Sequence, residues 1–208
     1  FTDLGQRSLS LRPENTAAIV RSYLENKLYA TLNPAKLYYI GPMFRYDRPQ
    51  AGRYRQFHQF GIEVIGAKNP LIDAEVISLA IQFFQRLGLS NLSLQINSVG
   101  CPVCRPIYRE KLQVFFKDKL PYLCKDCNSR YEKNPMRLLD CKNKKCKEYF
   151  QGVPHIIDYL CDECNNHFEK LQSFFKAADI EFLINKRLVR GLDYYTKTAF
   201  EIKYKPLG

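Results

Sequence analysis

Four arginines crowd one short turn of the chain. Phe44 to Arg55 reads FRYDRPQAGRYR, with Arg45, Arg48, Arg53 and Arg55 set against a single acid, Asp47. Guanidinium groups are planar forks of donors that keep their charge at neutral pH, so such a cluster suits phosphate. The next residues, QFHQFGIEVIG, place Gln59 and Glu63 inside an otherwise apolar run. A carboxylate in that setting calls for a cation or a hydrogen-bond donor. A second kind of chemistry lies further on. Eight cysteines fall as CPVC (Cys101, Cys104), CKDC (Cys124, Cys127), CKNKKC (Cys141, Cys146) and CDEC (Cys161, Cys164). Close pairs of this kind present two thiolates to one tetrahedral ion, and eight thiolates suffice for two Zn²⁺ in Cys₄ sites.

These side chains need elements to hold them. Thr16 to Leu28 has helical spacing in Ala17, Val20, Leu24 and Leu28, with Pro13 and Glu14 favouring a first turn. Leu37 to Arg45 and Arg55 to Ile65 read as strands, joined as an antiparallel pair by the arginine-rich turn. Side chains alternate faces along a strand. Phe57, Gln59, Gly61 and Glu63 therefore share one face, a shelf on which Gly61 leaves a gap. His58, Phe60, Ile62 and Val64 share the other and are expected to pack on helices. On the first strand Tyr39, Gly41, Met43 and Arg45 alternate in the same way. A flat ring stacked on Phe57, with arginines on attached phosphates, would lie beside the acid pocket.

Downstream, Asp73 is expected to cap a helix ending near Leu87 before Gly88, and Leu92 to Ile96 to form a short strand. From Cys101 to about Phe168 the chain becomes lysine- and cysteine-rich, and reads as an inserted, mainly helical subdomain. A helix over 168–178, a strand over 180–184 and a strand pair over 188–204 follow. The expected fold is α+β, an antiparallel sheet flanked by helices, divided as 1–100, 101–168 and 169–208.

Composition sets the bounds. The chain has 208 residues, 46% hydrophobic and 25% charged, and a net charge of +11. These are globular proportions, and no apolar run approaches the roughly 20 residues that span a bilayer. The basic excess is spread along the chain, as suits a polyanionic partner, or simply a soluble basic surface. A second local cluster, RLLDCKNKKCK from Arg137 to Lys147, holds five bases and one acid.

Three segments carry a family resemblance. FRYDRPQAGRYRQFHQFGIEVIG resembles motif 2 of class II aminoacyl-tRNA synthetases, in the version found in histidyl-tRNA synthetases. LRPENTA, from Leu11 to Ala17, resembles that family's LRPEGTA element. LVRGLDYYT, from Leu188 to Thr196, resembles its histidine-specific signature. The resemblance implies ATP-dependent activation of L-histidine and its transfer to tRNA(His), with Mg²⁺ on the ATP phosphates, in the cytoplasm, by a protein that is a homodimer at full length. It assigns Glu14, Thr16 and Gln59 to the α-amino group of histidine, and Glu63 and Tyr195 to the imidazole, with Tyr194 close by. It assigns Arg45 and Arg190 to the reacting phosphate, Phe57 to adenine, and Arg53 and Asp47 to the nucleotide.

The chain departs from the pattern at Asn15, where the family has glycine, and at Asp47, where motif 2 has glutamate. Set against the family it begins after most of motif 1 and ends before motif 3 and the anticodon-binding domain. Little or no adenylation is therefore expected of this stretch alone.

For the cysteines, two Zn²⁺ sites compete with free thiols, with one site plus strays, and with oxidation during preparation. The spacing leaves the pairing open. His155 and His167 are substitute ligands or, more simply, surface residues. The insertion is expected over the tRNA acceptor arm, with Lys142, Lys144, Lys145 and Lys147 on phosphates or merely solvated. Two alternatives to the enzyme remain. One is a non-catalytic paralogue, such as the regulatory subunit of ATP phosphoribosyltransferase. The other is a zinc-stabilised RNA-binding module, which leaves the Gln59 and Glu63 shelf without a purpose.

Overall fold

A computed structural model of the chain describes residues 1–189 and 194–204. The chain forms two compact units, Phe1–Lys68 and Asn69–Gly208.

In the first unit, helix α1 (Thr16–Glu25) opens where the Glu14 carboxylate accepts the backbone N–H of Thr16 at 2.6 Å and of Ala17 at 3.4 Å. An acid here satisfies orphan donors and complements the positive end of the helix. The helix stops short of Leu28 because Lys27 adopts a left-handed backbone (φ 50°), and a single 3₁₀ turn, Leu28–Ala30, follows. Strands β1 (Ala35–Phe44) and β2 (Gln56–Ile65) then pair antiparallel through ten residues, from Ala35 opposite Ile65 to Phe44 opposite Gln56. Ala35 and Met43 are buried on one face. On the other, Tyr38 and Ile40 are 77% and 73% exposed, and His58 and Phe60 are exposed too. Within the unit, that face of β2 is exposed at His58 and Phe60 and half-buried at Ile62 and Val64.

The second unit begins with α2 (Pro70–Arg86). Its cap is Asn69, whose side chain accepts the N–H of Leu71 at 2.9 Å, with Pro70 in the first turn. Asp73 is not the cap; it lies inside the first turn and is engaged elsewhere. Strand β3 (Leu92–Ser98) is central in a three-stranded sheet between β4 (Phe182–Ile184), parallel to it, and β5 (Thr198–Tyr204), antiparallel. Helix α6 (Asp162–Ala177) and α2 enclose a core of Ile77, Leu94, Ile96, Phe168, Leu171 and Phe175. Of the strand pair expected over 188–204, the described residues form β5 alone; residues 190–193 lie outside them.

Between β3 and α6 the chain leaves the sheet and builds α3 (Cys104–Phe116), α4 (Lys125–Lys133) and α5 (Lys144–Glu148), linked by 3₁₀ turns. They surround a separate core in which Tyr108, Leu112, Phe116, Leu138, Phe150 and Ile156 are almost wholly buried. The exit helix starts at Asp162 rather than near Phe168, so the last cysteine pair sits at its opening. No helix among the described residues is long and apolar enough to cross a membrane.

Candidate functional site

The register of the hairpin decides what its sheltered face presents. Leu37 faces Glu63, Tyr39 faces Gly61, Gly41 faces Gln59 and Met43 faces Phe57. Opposed residues of an antiparallel pair point to the same side, so the two alternating sets predicted from the sequence form one surface. Two details differ from expectation. A Cβ on Gly61 would fall inside the Tyr39 ring, so the gap left by that glycine is filled by tyrosine. A Cβ on Gly41 would meet the Arg12 guanidinium at 2.9 Å. Arg12 lies there because its Nε donates to the Pro42 carbonyl at 2.9 Å and its Nη1 to Asn15 Oδ1 at 3.4 Å. The LRPENTA segment is thus pinned across β1 by an arginine that the sequence reading passed over.

That pinning delivers Thr16 to Glu63. The threonine hydroxyl donates to Glu63 Oε1 at 2.6 Å, a short charge-assisted bond between residues 47 apart in sequence. Glu63 thus has one oxygen engaged and acceptor capacity to spare. Glu14, by contrast, spends its carboxylate on the backbone at the start of α1.

At the other end of the shelf the arginine turn is organised around Asp47. Its carboxylate accepts Arg53 Nε at 2.9 Å and lies 3.6 Å from Arg45 Nε, while its carbonyl accepts Arg55 Nε at 3.1 Å. Arg45 also donates to the Tyr54 carbonyl at 2.9 Å, and its guanidinium stacks 4.5 Å from the centre of the Phe57 ring. Arg45, Arg53, Phe57 and Asp47 are therefore one contact set. A single carboxylate among several guanidiniums holds their geometry and leaves a positive excess for an anion.

In the second unit, Tyr194 and Tyr195 pack edge to face, with ring centres 5.1 Å apart. Arg190 lies outside the described residues. Two residues downstream of Tyr195, Lys197 donates from Nζ to Glu163 at 2.7 Å. His167 is not a surface residue. It is buried on α6, 2.9 Å from Asp73 and 3.3 Å from the Thr198 hydroxyl, so α2, α6 and β5 meet at one imidazole.

The eight thiols gather into two quartets: Cys101, Cys104, Cys161 and Cys164, and Cys124, Cys127, Cys141 and Cys146. Within each, all sulfurs lie within 4.8 Å of one another. Neither histidine candidate joins them. A tetrahedron with metal–sulfur bonds of about 2.3 Å has edges of about 3.8 Å. The sulfur separations include 3.6 Å for Cys101 and Cys104, 3.8 Å for Cys101 and Cys161, and 4.0 Å for Cys124 and Cys141. Backbone N–H groups point at the sulfurs as well, from Val103 to Cys101, from Cys161 to Cys104 and from Cys124 to Cys146.

The titration of the thiols follows this geometry. Burial opposes ionisation of Cys101, but the N–H groups of Cys104 and Val103 and neighbouring thiols outweigh it and hold Cys101 at about 7. Burial pushes Cys104 and Cys164 up. In the second quartet the backbone N–H of Cys127 lowers Cys124, while burial raises Cys127 and Cys146. The protein thus favours the thiolate at Cys101 and Cys124 and opposes it at Cys104, Cys164, Cys127 and Cys146, where a bound cation would offset the cost of burial.

Residues 1–107, half of the chain, match the family model for histidyl-tRNA synthetase. The chain belongs to that family. The histidine–tRNA ligase of Desulforamulus reducens is 60% identical over all 208 residues, and that of Clostridioides difficile 56%. In each case the match covers all of this chain and 50% of the relative. The chain thus spans about half the length of the histidyl-tRNA synthetases it matches. Among solved structures, apo histidyl-tRNA synthetase from S. aureus is 45% identical, with a TM-score of 0.76, over 97% of this chain and 47% of that one. A Bacillus halodurans protein described as an ATP phosphoribosyltransferase regulatory subunit/histidyl-tRNA synthetase is 25% identical, with a TM-score of 0.60, over 100% of this chain and 57% of that one.

Proposed function

We propose that the full-length protein of which this chain is a part activates L-histidine with ATP and transfers it to tRNA(His), as a cytoplasmic homodimer. The observation that carries this reading is the single face of the β1–β2 hairpin. It presents a carboxylate held by Thr16 at one end and a guanidinium stacked on Phe57 at the other.

The reaction forms a bond between a histidine carboxylate oxygen and the α-phosphorus of ATP, and breaks the bond to the β-phosphate oxygen. Pyrophosphate leaves, and Mg²⁺ accompanies the nucleotide as part of that substrate. Negative charge concentrates on the transferring phosphate, and a fixed guanidinium aimed there is worth roughly 3–4 kcal/mol in a dry site. Arg45 fills this role, with Arg190 assigned to it by resemblance. Phe57 stacks under adenine, and Arg53 and Asp47 border the nucleotide. Glu63 accepts the imidazole N–H, and an amino acid lacking that donor leaves a desolvated carboxylate unpaired and is rejected. Gln59, Glu14 and Thr16 take the α-amino group, and Tyr194 and Tyr195 take the side chain.

The functional division is 1–100 and 169–208 for the catalytic core and 101–168 for the insertion. Each sulfur quartet holds one structural Zn²⁺, supported by the sulfur separations and the N–H groups aimed at the thiols. Lys142, Lys144, Lys145 and Lys147, all exposed, contact acceptor-arm phosphates.

Pyrophosphate exchange by the full-length protein, run with each amino acid in turn, tests the reading. Exchange supported by histidine alone is expected. A protein that binds histidine without exchange would instead be a regulatory paralogue, a reading weakened by the 52–60% identity to histidine–tRNA ligases and by the presence of Arg45 and Arg53.

A further inference from the structure

The two quartets are built from the same ligands but occupy different places. Cys124, Cys127, Cys141 and Cys146 all lie within the insertion. Cys101 and Cys104 follow the end of β3, while Cys161 and Cys164 open α6, so the first quartet sits where the insertion leaves and rejoins the sheet.

One residue touches both halves of that junction. The Lys197 backbone N–H donates to the Gly100 carbonyl at 2.8 Å, and its own carbonyl accepts the Val99 N–H at 2.7 Å. This extends the β3–β5 ladder, which ends at the pair Ser98 and Thr198, up to the residue before Cys101. The Lys197 side chain reaches the other half, donating to Glu163, which lies between Cys161 and Cys164. Lys197 sits at φ 60°, a left-handed backbone that a non-glycine residue holds only when its surroundings fix it. Gly100 is fixed too, at φ 65°, and a Cβ on it would meet Cys104 Cβ at 3.0 Å. A Cys₄ zinc centre carries a formal charge of −2, which an adjacent ammonium offsets.

We infer that the metal held by Cys101, Cys104, Cys161 and Cys164 is a clasp that positions the segment bearing Tyr194 and Tyr195, acting through Lys197, and that the second metal has no such role. Lys197 is a positioning residue. It fixes the start of β5 two residues after Tyr195, at the end of the segment that resembles the histidine-specific signature. The inference rests on the zinc reading and on the histidine assignment of those tyrosines. Its expected mark is selective: weaker use of histidine with little change in use of ATP.

The test uses the full-length protein purified under reducing conditions from zinc-replete medium, with metal content and pyrophosphate-exchange kinetics measured on each variant. The parent should carry two zinc ions per chain. Lys197→Met should keep both and raise the KM for histidine about tenfold, the scale on which small misplacements act, with the KM for ATP within about twofold. Lys197→Arg should recover most of the loss. Glu163→Gln, which weakens the same ion pair without touching a core, should shift the KM for histidine in the same direction by less. Asp126→Asn, the corresponding change between Cys124 and Cys127 of the second quartet, should keep both metals and leave the KM for histidine unchanged; an equal shift would overturn the distinction between the two metals. No zinc in the parent would overturn the metal reading and the clasp with it. Two zinc ions together with an unchanged KM for histidine in Lys197→Met and Glu163→Gln would overturn the clasp alone. A Lys197→Met protein that fails to fold leaves Glu163→Gln to decide.

Discussion

The hairpin and the insertion solve opposite problems. The β1–β2 hairpin places Phe57, Gln59, Glu63 and, at its end, Arg45 with a register of ten pairs but buries little, leaving Tyr38 and Ile40 largely in solvent. The insertion packs Tyr108, Phe116 and Phe150 into a closed core and gathers its thiols in two quartets. In the first, precision comes from strand pairing and hydrogen bonds. In the second, it comes from burial and sulfur, because a unit of fewer than about 70 residues gains much from a metal staple.

The contrast can be broken most forcefully by removing metal. Structural zinc contributes on the order of 10 kcal/mol in small domains. A strong chelator under reducing conditions should melt the insertion, seen as lost helical circular dichroism and new proteolysis between residues 101 and 164. Retention of both signals would mean that the apolar core suffices without metal. Next in size, Glu63→Gln in the full-length protein should cut kcat/KM for histidine by about 10²–10³ in pyrophosphate exchange, since the site then lacks its charged acceptor. Its zinc content should not change. A loss below tenfold would remove Glu63 from imidazole recognition.

Gly61→Ala follows, with its Cβ driven into the Tyr39 ring. A destabilisation of about 1–3 kcal/mol is expected from overpacking, read as a lower denaturation midpoint. Adding Tyr39→Leu should recover part of it; a neutral Gly61→Ala would show that the ring moves aside freely. The smallest effect belongs to the lysines. Changing Lys142, Lys144, Lys145 and Lys147 together to glutamine should leave adenylation unchanged and weaken tRNA binding. Each lost phosphate contact flattens the salt dependence by slightly less than one unit of log slope. An unaltered slope would return these side chains to the status of a solvated surface.

Much of the hairpin was legible in the sequence, because a period of two residues and a turn between two strands leave few registers. The faces of β2 follow from that pattern; the hydrogen bond from Thr16 to Glu63 does not, because the resemblance sets those two residues on different groups of histidine. What occupies the gaps did not follow. Tyr39 fills the space at Gly61 and Arg12 the space at Gly41, and both are contacts across strands or between segments that no local pattern encodes. Asp73 looked like a cap because acids favour first turns, yet Asn69 with Pro70 is the better start, and the Asp73 carboxylate serves His167 instead. The cysteine spacing showed pairs but not which pairs meet. That choice depends on the path of α3 to α6, and the parallel pairing of β3 with β4 depends on the same excursion.

One feature of that excursion reaches beyond chemistry. The sulfurs of Cys101 and Cys161 lie 3.8 Å apart although 60 positions separate them in the chain. The stretch between them departs and returns through a single doorway. Lengthening a loop whose ends already touch costs little, only about 0.6 kcal/mol for each doubling. The chain between those two cysteines is therefore free to grow, shrink or be exchanged while the sheet beneath keeps its shape.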